Sequence, residues 1–278
     1  MKMNKRTVII YVVLSMFIVF ALFPAYWTIL TSIRPLEELL NPIPWVSSPT
    51  LKYYVQVITC SYYQIDLFNI QMLNSIIISL GTAISVIFVS SLAGYSLARI
   101  KFPFSSYLSK LVLFTYLIPP SLLSIAFFEQ MNNYGLVNTY AAIILAMVTF
   151  TSPYCIWIYR EYVKSIPVEI EEAALIDGAG RLGIFFRIVL PLSAPVIVAL
   201  STYAFLYAWN EYLYVLILTS DSRMFTAPIA IAGLLQSDEI PWGIVSAMSV
   251  IFSIPPIIFY YLVQKYMIRG LVAGAVKA

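Results

Sequence analysis

The chain has 278 residues, of which 61% are hydrophobic and only 10% charged, with a mean hydropathy of +0.89. A soluble domain carries about 25% charged residues, so most of this chain must face lipid or other spanning helices. Its net charge of +3 comes from dispersed basic residues, which excludes nucleic-acid binding, and it has no histidine, the commonest metal ligand and near-neutral proton shuttle.

The chain opens with Lys2, Lys5 and Arg6 and then runs uncharged from Thr7 to Ile33. A signal peptide begins similarly, but this apolar run is too long and lacks a small-residue cleavage site, so it reads as a retained first span, about 8–33, with Pro24 inside it. Residues 34–70 are polar and rich in proline and aromatics, including Trp45, Tyr53 and Tyr62, as suits a loop at the headgroup level. A second span is expected at about 73–97, followed by the basic connection Arg99-Ile-Lys101-Phe-Pro103. The third, about 107–128, is broken by Pro119-Pro120, a short turn follows, and the fourth covers about 139–159. The fifth span is expected at about 193–218, an outer connection at 219–241 and the sixth span at about 242–263, with a tail from Gln264. Each has the ~20 residues that a bilayer requires. The reading is of an all-α membrane protein with six transmembrane helices in one permease-sized domain. Cys60 lies in a polar connection and Cys155 inside an apolar run, so neither a disulfide nor a metal motif is expected.

One hydrophilic stretch, 161–192, interrupts the apolar chain. It holds Glu161, Lys164, Glu169, Glu171, Glu172, Asp177, Arg181 and Arg187. Charges of this density are too costly in hydrocarbon, so the stretch is expected to be a soluble loop between two spans. Pro167 suits a first helical position, and Glu169 and Glu171 in the first turn favour the positive helix end. Asp177-Gly178 is a helix-stop signal. A second amphipathic segment, Arg181 to Val189, is expected to stop before Pro191. The four carboxylates of 169–177 could mark a metal site, a solvated acidic helix or a docking face. Glu172 and Ile176 share a helix face, as do Ala173 and Ile176, and the small alanines permit close approach of a partner.

Basic residues set the orientation. Lys2, Lys5, Arg6, Arg99, Lys101, Lys110, Arg160, Lys164, Arg181, Arg187, Lys265, Arg269 and Lys277 fall on one side, and only Arg34, Lys52 and Arg223 on the other. The positive-inside rule puts both termini and the 161–192 loop in the cytoplasm. No catalytic constellation is visible: there is no G-x-x-x-x-G-K-[ST] to cradle phosphates and no H-E-x-x-H. If ATP powers this protein, another subunit binds it.

The second stretch that carries chemistry is Trp209-Asn210-Glu211-Tyr212. On a helix begun at Ser193, Glu211 would sit about 27 Å along, toward the outer end of the fifth span. Such a carboxylate either lines a polar path or pairs with another subunit, or it snorkels to outer water beside belt aromatics. Asn74, at the start of the second span, reads either as a helix cap or as a path residue.

Taken together, Glu172-Ala173-Ala174, Gly178, Ile188 and Leu190-Pro191 resemble the "EAA" loop of ABC-importer permease subunits. In that family the loop is the coupling helix that docks in a cleft of the cytoplasmic ATPase. The resemblance assigns ATPase coupling to Glu171, Glu172, Ala173, Ala174, Asp177, Gly178, Ile188, Leu190 and Pro191. The W-N-E-Y cluster, the Ala93-Gly94-Tyr95-Ser96-Leu97-Ala98-Arg99 close of the second span, and the ending Arg269 to Lys277 are similar to those of carbohydrate-importer permeases, the shorter maltose-transporter permease among them. Against that ending, Ala275 replaces a glycine. The resemblance covers the chain from about Asn74 onward. It implies a type I importer fold and a substrate path at Trp209, Asn210, Glu211, Tyr212 and Asn74. It also implies a second permease subunit, two ATPase subunits that bind ATP and Mg, and an extracytoplasmic solute-binding protein. This chain itself would bind no cofactor and would be no enzyme. Glycerol-phosphate or polyol importers share much of the pattern and are the alternative substrate class. A self-sufficient ion-coupled carrier would need ionisable residues deep in several spans, and only Glu211 is a candidate.

Overall fold

The computed structural model describes the backbone of residues 5–39, 43–100 and 102–275, and the side chains of all of these except 5, 6, 8 and 266–275. Lys2, Lys101 and Lys277 of the charge argument, and the side chains of the Arg269–Lys277 ending, lie outside the described residues. The regular secondary structure of the described residues is all helical, and the contacts divide the chain into two compact units, 1–69 with 230–254, and 70–229 with 255–278.

The first unit begins with α1 (Lys5–Ser32), whose apolar side chains are largely exposed around the whole helix, as befits a span with lipid or other chains for neighbours. Pro24 sits inside it without ending it, and the Thr28 hydroxyl donates to the Pro24 carbonyl (2.9 Å). The connection that follows is built by its own side chains. The Arg34 guanidinium is buried, lies over the Trp27 ring (5.4 Å) and donates to the carbonyls of Ile43 and Trp45. Ser32 and Tyr54, on α2 (Lys52–Ile58), share a 2.6 Å hydrogen bond. Gly243 lies directly against the Tyr53 ring, where a Cβ would overlap it.

In the second unit, α3 (Phe68–Arg99) has 32 residues, about 48 Å, and overruns a ~30 Å hydrocarbon core. It approaches α6 (Tyr140–Ser165) closely, because Gly94 lets its backbone meet the Ile156 carbonyl and the Tyr159 ring; a Cβ there would stand 3.0 Å from each. Thr139 caps α6, its hydroxyl accepting from the Ala142 N–H (3.3 Å). The third span is two helices, α4 (Ser105–Thr115) and α5 (Ser124–Asn133), bent by 89° where Pro119-Pro120 withdraws backbone donors. α5 therefore occupies part of the 129–138 segment expected to be a turn.

The hydrophilic stretch holds α7 (Val168–Ile176) and then one helical run from Arg181 to Leu192, composed of α8 (Arg181–Ile184), a π-helical stretch (Phe185–Val189) and α9 (Leu190–Leu192). The expected stop before Pro191 does not occur. Pro191 cannot donate to the Arg187 carbonyl, and the wider π turn just before it absorbs that loss. The chain then bends by 78° into α10 (Ala194–Trp209). The fifth span is not one helix to Leu218: α10 ends at Trp209, and α11 (Leu213–Leu218) starts afresh after a gap at 210–212. In the 219–241 connection, α12 (Ala227–Leu234) forms, and α13 (Trp242–Ala275) carries the last span through Pro255-Pro256 and well past Gln264. Among the described residues, four helices are long and apolar enough to cross a membrane, or up to six if each bent pair is one span. The core of this unit is an apolar cluster in which Ile78, Ile143, Met147, Ala208, Tyr214 and Val215 join α3, α6, α10 and α11.

Candidate functional site

α7 is a nine-residue helix, too short to be stable alone in water, so tertiary contacts must hold it. Pro167 is its N-cap residue, one position earlier than expected, with Glu169 and Glu171 in the first turn. Its end is a Schellman turn: the Ala179 N–H reaches the Ala174 carbonyl (3.0 Å) and the Gly178 N–H the Leu175 carbonyl (3.0 Å). Gly178 holds φ +83°, which an L side chain adopts only with strain, although nothing stands near enough to clash.

The carboxylate of Glu171 is not on the exposed face. It is buried, and accepts from Arg99 Nε (2.5 Å) and from the Tyr95 hydroxyl (3.0 Å), both near the end of α3. Arg99 Nη2 donates also to the Ile166 carbonyl (2.7 Å), just before α7. One guanidinium therefore ties both the entry and the body of α7 to α3. Glu171 is the one buried residue of α7; Val168, Glu172 and Leu175 are exposed and line, with Glu171, Arg99, Arg181 and Phe185, an open cavity of about 260 Å³. Ile170, Ala173, Ile176 and Asp177 are exposed, and Ile176 shows 86% of its surface. An apolar side chain so exposed, on a helix held rigidly from behind, offers a docking knob. Ala174 and Ile188 are half-buried, Leu190 is half-buried against an apolar cavity, and Pro191 is exposed.

The second candidate cluster lies in the gap between α10 and α11. Trp209 is 2% exposed and stacks on Phe205 (5.5 Å). Asn210 is exposed and donates back to the Leu206 carbonyl (2.8 Å). Glu211 sits in non-helical backbone, and its carboxylate accepts from the Tyr214 N–H (2.8 Å), capping α11. The expected place 27 Å up a continuous helix is thus replaced by a helix break, and the carboxylate has a backbone partner. Tyr212 is half-buried against the apolar core. Asn74 is elsewhere: it is 1% exposed, donates to the carbonyls of Arg223 (2.7 Å) and Phe225 (2.8 Å), and accepts from the Tyr140 hydroxyl (2.7 Å). An amide so committed clamps the 219–229 segment onto α3 and α6.

Sequence reasoning missed the anchoring role of Tyr95 and Arg99, and the tyrosines of α10. The spacing of Tyr203 and Tyr207, four residues apart, places both on one stripe of α10 and was the available signal.

The binding-protein-dependent transport system inner membrane component family matches residues 87–272 of this chain. The trehalose/maltose transport system permease protein MalG of Thermococcus litoralis is 37% identical over 98% of this chain and 97% of its own length. The inner membrane ABC transporter permease protein YcjP of Escherichia coli is 32% identical over the whole of both chains. Among solved structures, a chain of a bacterial ABC transporter that imports the acidic polysaccharide alginate superposes with a TM-score of 0.79 at 21% identity, over 96% of this chain and 99% of its own, and so shares the fold. An exposed, rigidly anchored helix in the one charged loop of a multispanning chain, together with these matches, decides the assignment: the protein belongs to the family of binding-protein-dependent transport system inner membrane components, the membrane permease subunits of ABC importers.

Proposed function

We propose that this permease moves a sugar or oligosaccharide across the cytoplasmic membrane by alternating access, paired with a second, different permease subunit. Two ATPase subunits and an extracytoplasmic binding protein complete the assembly, and both termini lie in the cytoplasm. ATP and Mg belong to the ATPases; this chain contributes positions and levers. The Thermococcus litoralis relative, a trehalose/maltose permease matched over nearly all of both chains, supports the sugar class.

The observation that carries the mechanism is the Arg99–Glu171 pair behind an exposed Ile176. In this reading Ile170, Ala173 and Ile176 enter a cleft of the ATPase, with Asp177 and Gly178 shaping the end of the helix. When ATP closes the ATPases, α7 moves as a rigid body. The buried ion pair passes that displacement into α3, and the run Arg181–Leu192 passes it through the 78° bend into α10. At the far end of α10 the helix break at 210–212, with Trp209, Asn210, Glu211 and Tyr212, faces the substrate path; half-helices at membrane depth are a recurring feature of such paths.

The test is a pull-down of the tagged chain from mild detergent, with mass spectrometry of its companions. Wild type brings down a P-loop ATPase, a second six-span protein and a solute-binding protein, and Ile176→Asp loses the ATPase while keeping the second permease. Recovery of the wild-type chain alone, or transport after reconstitution without any ATPase, overturns the reading.

A further inference from the structure

We infer that this chain carries its own carbohydrate subsite at mid-depth in the membrane, a cavity walled by Tyr116 and Tyr207 that accepts a neutral sugar ring; the inference rests on the sugar-importer reading above. The cavity has a volume of about 670 Å³, within the range of small-molecule sites. Its wall includes Thr115, Tyr116, Thr149, Phe150 and Tyr207, with the irregular backbone of 116–120 where α4 gives way to α5.

Four phenols form a row here. Tyr116 packs on Tyr154 (5.4 Å between ring centres), Tyr154 on Tyr203 (4.9 Å), and Tyr203 on Tyr207 (6.2 Å). The Tyr116 and Tyr203 hydroxyls lie 3.3 Å apart. Glu211 lies four residues after Tyr207, beyond the end of α10, in the non-helical backbone of the break.

Depth can be counted along three separate helices from the ends that enter on the coupling-loop side. Tyr203 lies nine residues into α10, Tyr154 eleven residues from the end of α6, and Tyr116 eleven residues beyond the start of α4. At 1.5 Å per residue these are about 14, 17 and 17 Å, close to half of a ~30 Å core. Hydroxyls and broken helical backbone at that depth are tolerated only inside protein or along a water-filled cavity.

The chemistry of the wall selects the ligand class. A pyranose offers a flat C–H face that lies on an aromatic ring, and rim hydroxyls that exchange hydrogen bonds with phenols and threonines. Among the described residues no Lys or Arg lines the cavity, so a phosphate would find no charged partner in them. The site therefore favours neutral sugars over glycerol phosphate.

The experiment uses the complete transporter in membrane vesicles, with Cys60→Ser and Cys155→Ala as background and one new cysteine at a time. Thr149→Cys, nearly isosteric, and Tyr207→Cys report the cavity; Phe20→Cys, on the exposed apolar face of α1, is the control. A positively charged, water-soluble thiosulfonate should label the two cavity positions at least tenfold faster than Phe20→Cys. Maltose or trehalose, given with the binding protein, should slow that labelling at least fivefold, and glycerol 3-phosphate should not. Absence of labelling in assembled complexes overturns the subsite, as does labelling that no sugar slows. ATP-dependent uptake by the wild type is measured in parallel: sugar import without protection refutes only the subsite, whereas no sugar import refutes the function on which it rests.

Discussion

Replacing Glu171 with alanine tests whether the loop works as a lever. The side chain is 8% exposed and its Arg99 partner 13%, so the substitution strands a guanidinium in a poorly hydrated pocket and removes the acceptor of Tyr95. Breaking a fully buried pair from one side costs about 3–5 kcal/mol. Arg99 keeps its bond to the Ile166 carbonyl and lies at the water-facing end of α3, which lowers the cost to about 2–3 kcal/mol. At 1.4 kcal/mol per tenfold, the seated state of α7 then loses roughly 30- to 150-fold against detached states. In proteoliposomes of the whole transporter, ATP hydrolysis should continue while sugar moved per ATP falls at least tenfold. Arg99→Ala should behave alike, and the double variant should be little worse than either single one, because both remove the same contact. A Glu171→Ala transporter whose uptake-to-ATPase ratio stays within twofold of wild type would refute the lever.

Three further substitutions address the turn, the helix break and the Asn74 clamp. Gly178→Val should lower uptake and expose the 176–181 segment to protease, since a β-branched residue at φ +83° is strained by more than the ~1–2 kcal/mol of an ordinary side chain, whereas Gly178→Asn should stay near wild type; equal behaviour of the two would show that the left-handed turn is unimportant. Glu211→Gln keeps an acceptor for the Tyr214 N–H and should preserve thermal stability, whereas Glu211→Leu should cost about 1 kcal/mol of capping; uptake lost in both with assembly intact assigns the role to the charge, and loss of assembly instead would mark a structural ion pair with another subunit. Asn74→Leu deletes three hydrogen bonds of a buried amide and should destabilise the permease by about 2–4 kcal/mol, seen as a lower melting temperature in detergent, and a melting temperature unchanged from wild type would exclude the clamp.

The charged loop was legible because its charges violate their surroundings: eight charged residues between apolar runs cannot be buried in lipid, and the Asp177-Gly178 stop is written in local backbone preference. The same logic located six apolar runs. It could not locate the break at 210–212, because the chain is apolar again from Leu213 to Leu218 and so reads as helix to the end of the span. It also grouped Glu171 with the exposed carboxylates, since a charge on an amphipathic loop is normally solvated. Asn74 looked available for a solute, and instead spends both ends of its amide on neighbouring backbone and Tyr140.

By itself, then, the sequence determined that the chain lives in a membrane and that one charged loop interrupts its apolar runs, because transfer free energies and turn preferences are properties of residues taken locally. Only the tertiary structure decided which carboxylate turns inward to Arg99, where the spans break, and which tyrosines converge on one cavity. In a membrane protein both the lipid-facing and the protein-facing sides of a helix are apolar, so hydropathy carries little record of which side is which. That choice is made by close packing at positions such as Gly94 and by the few polar groups that must find partners inside.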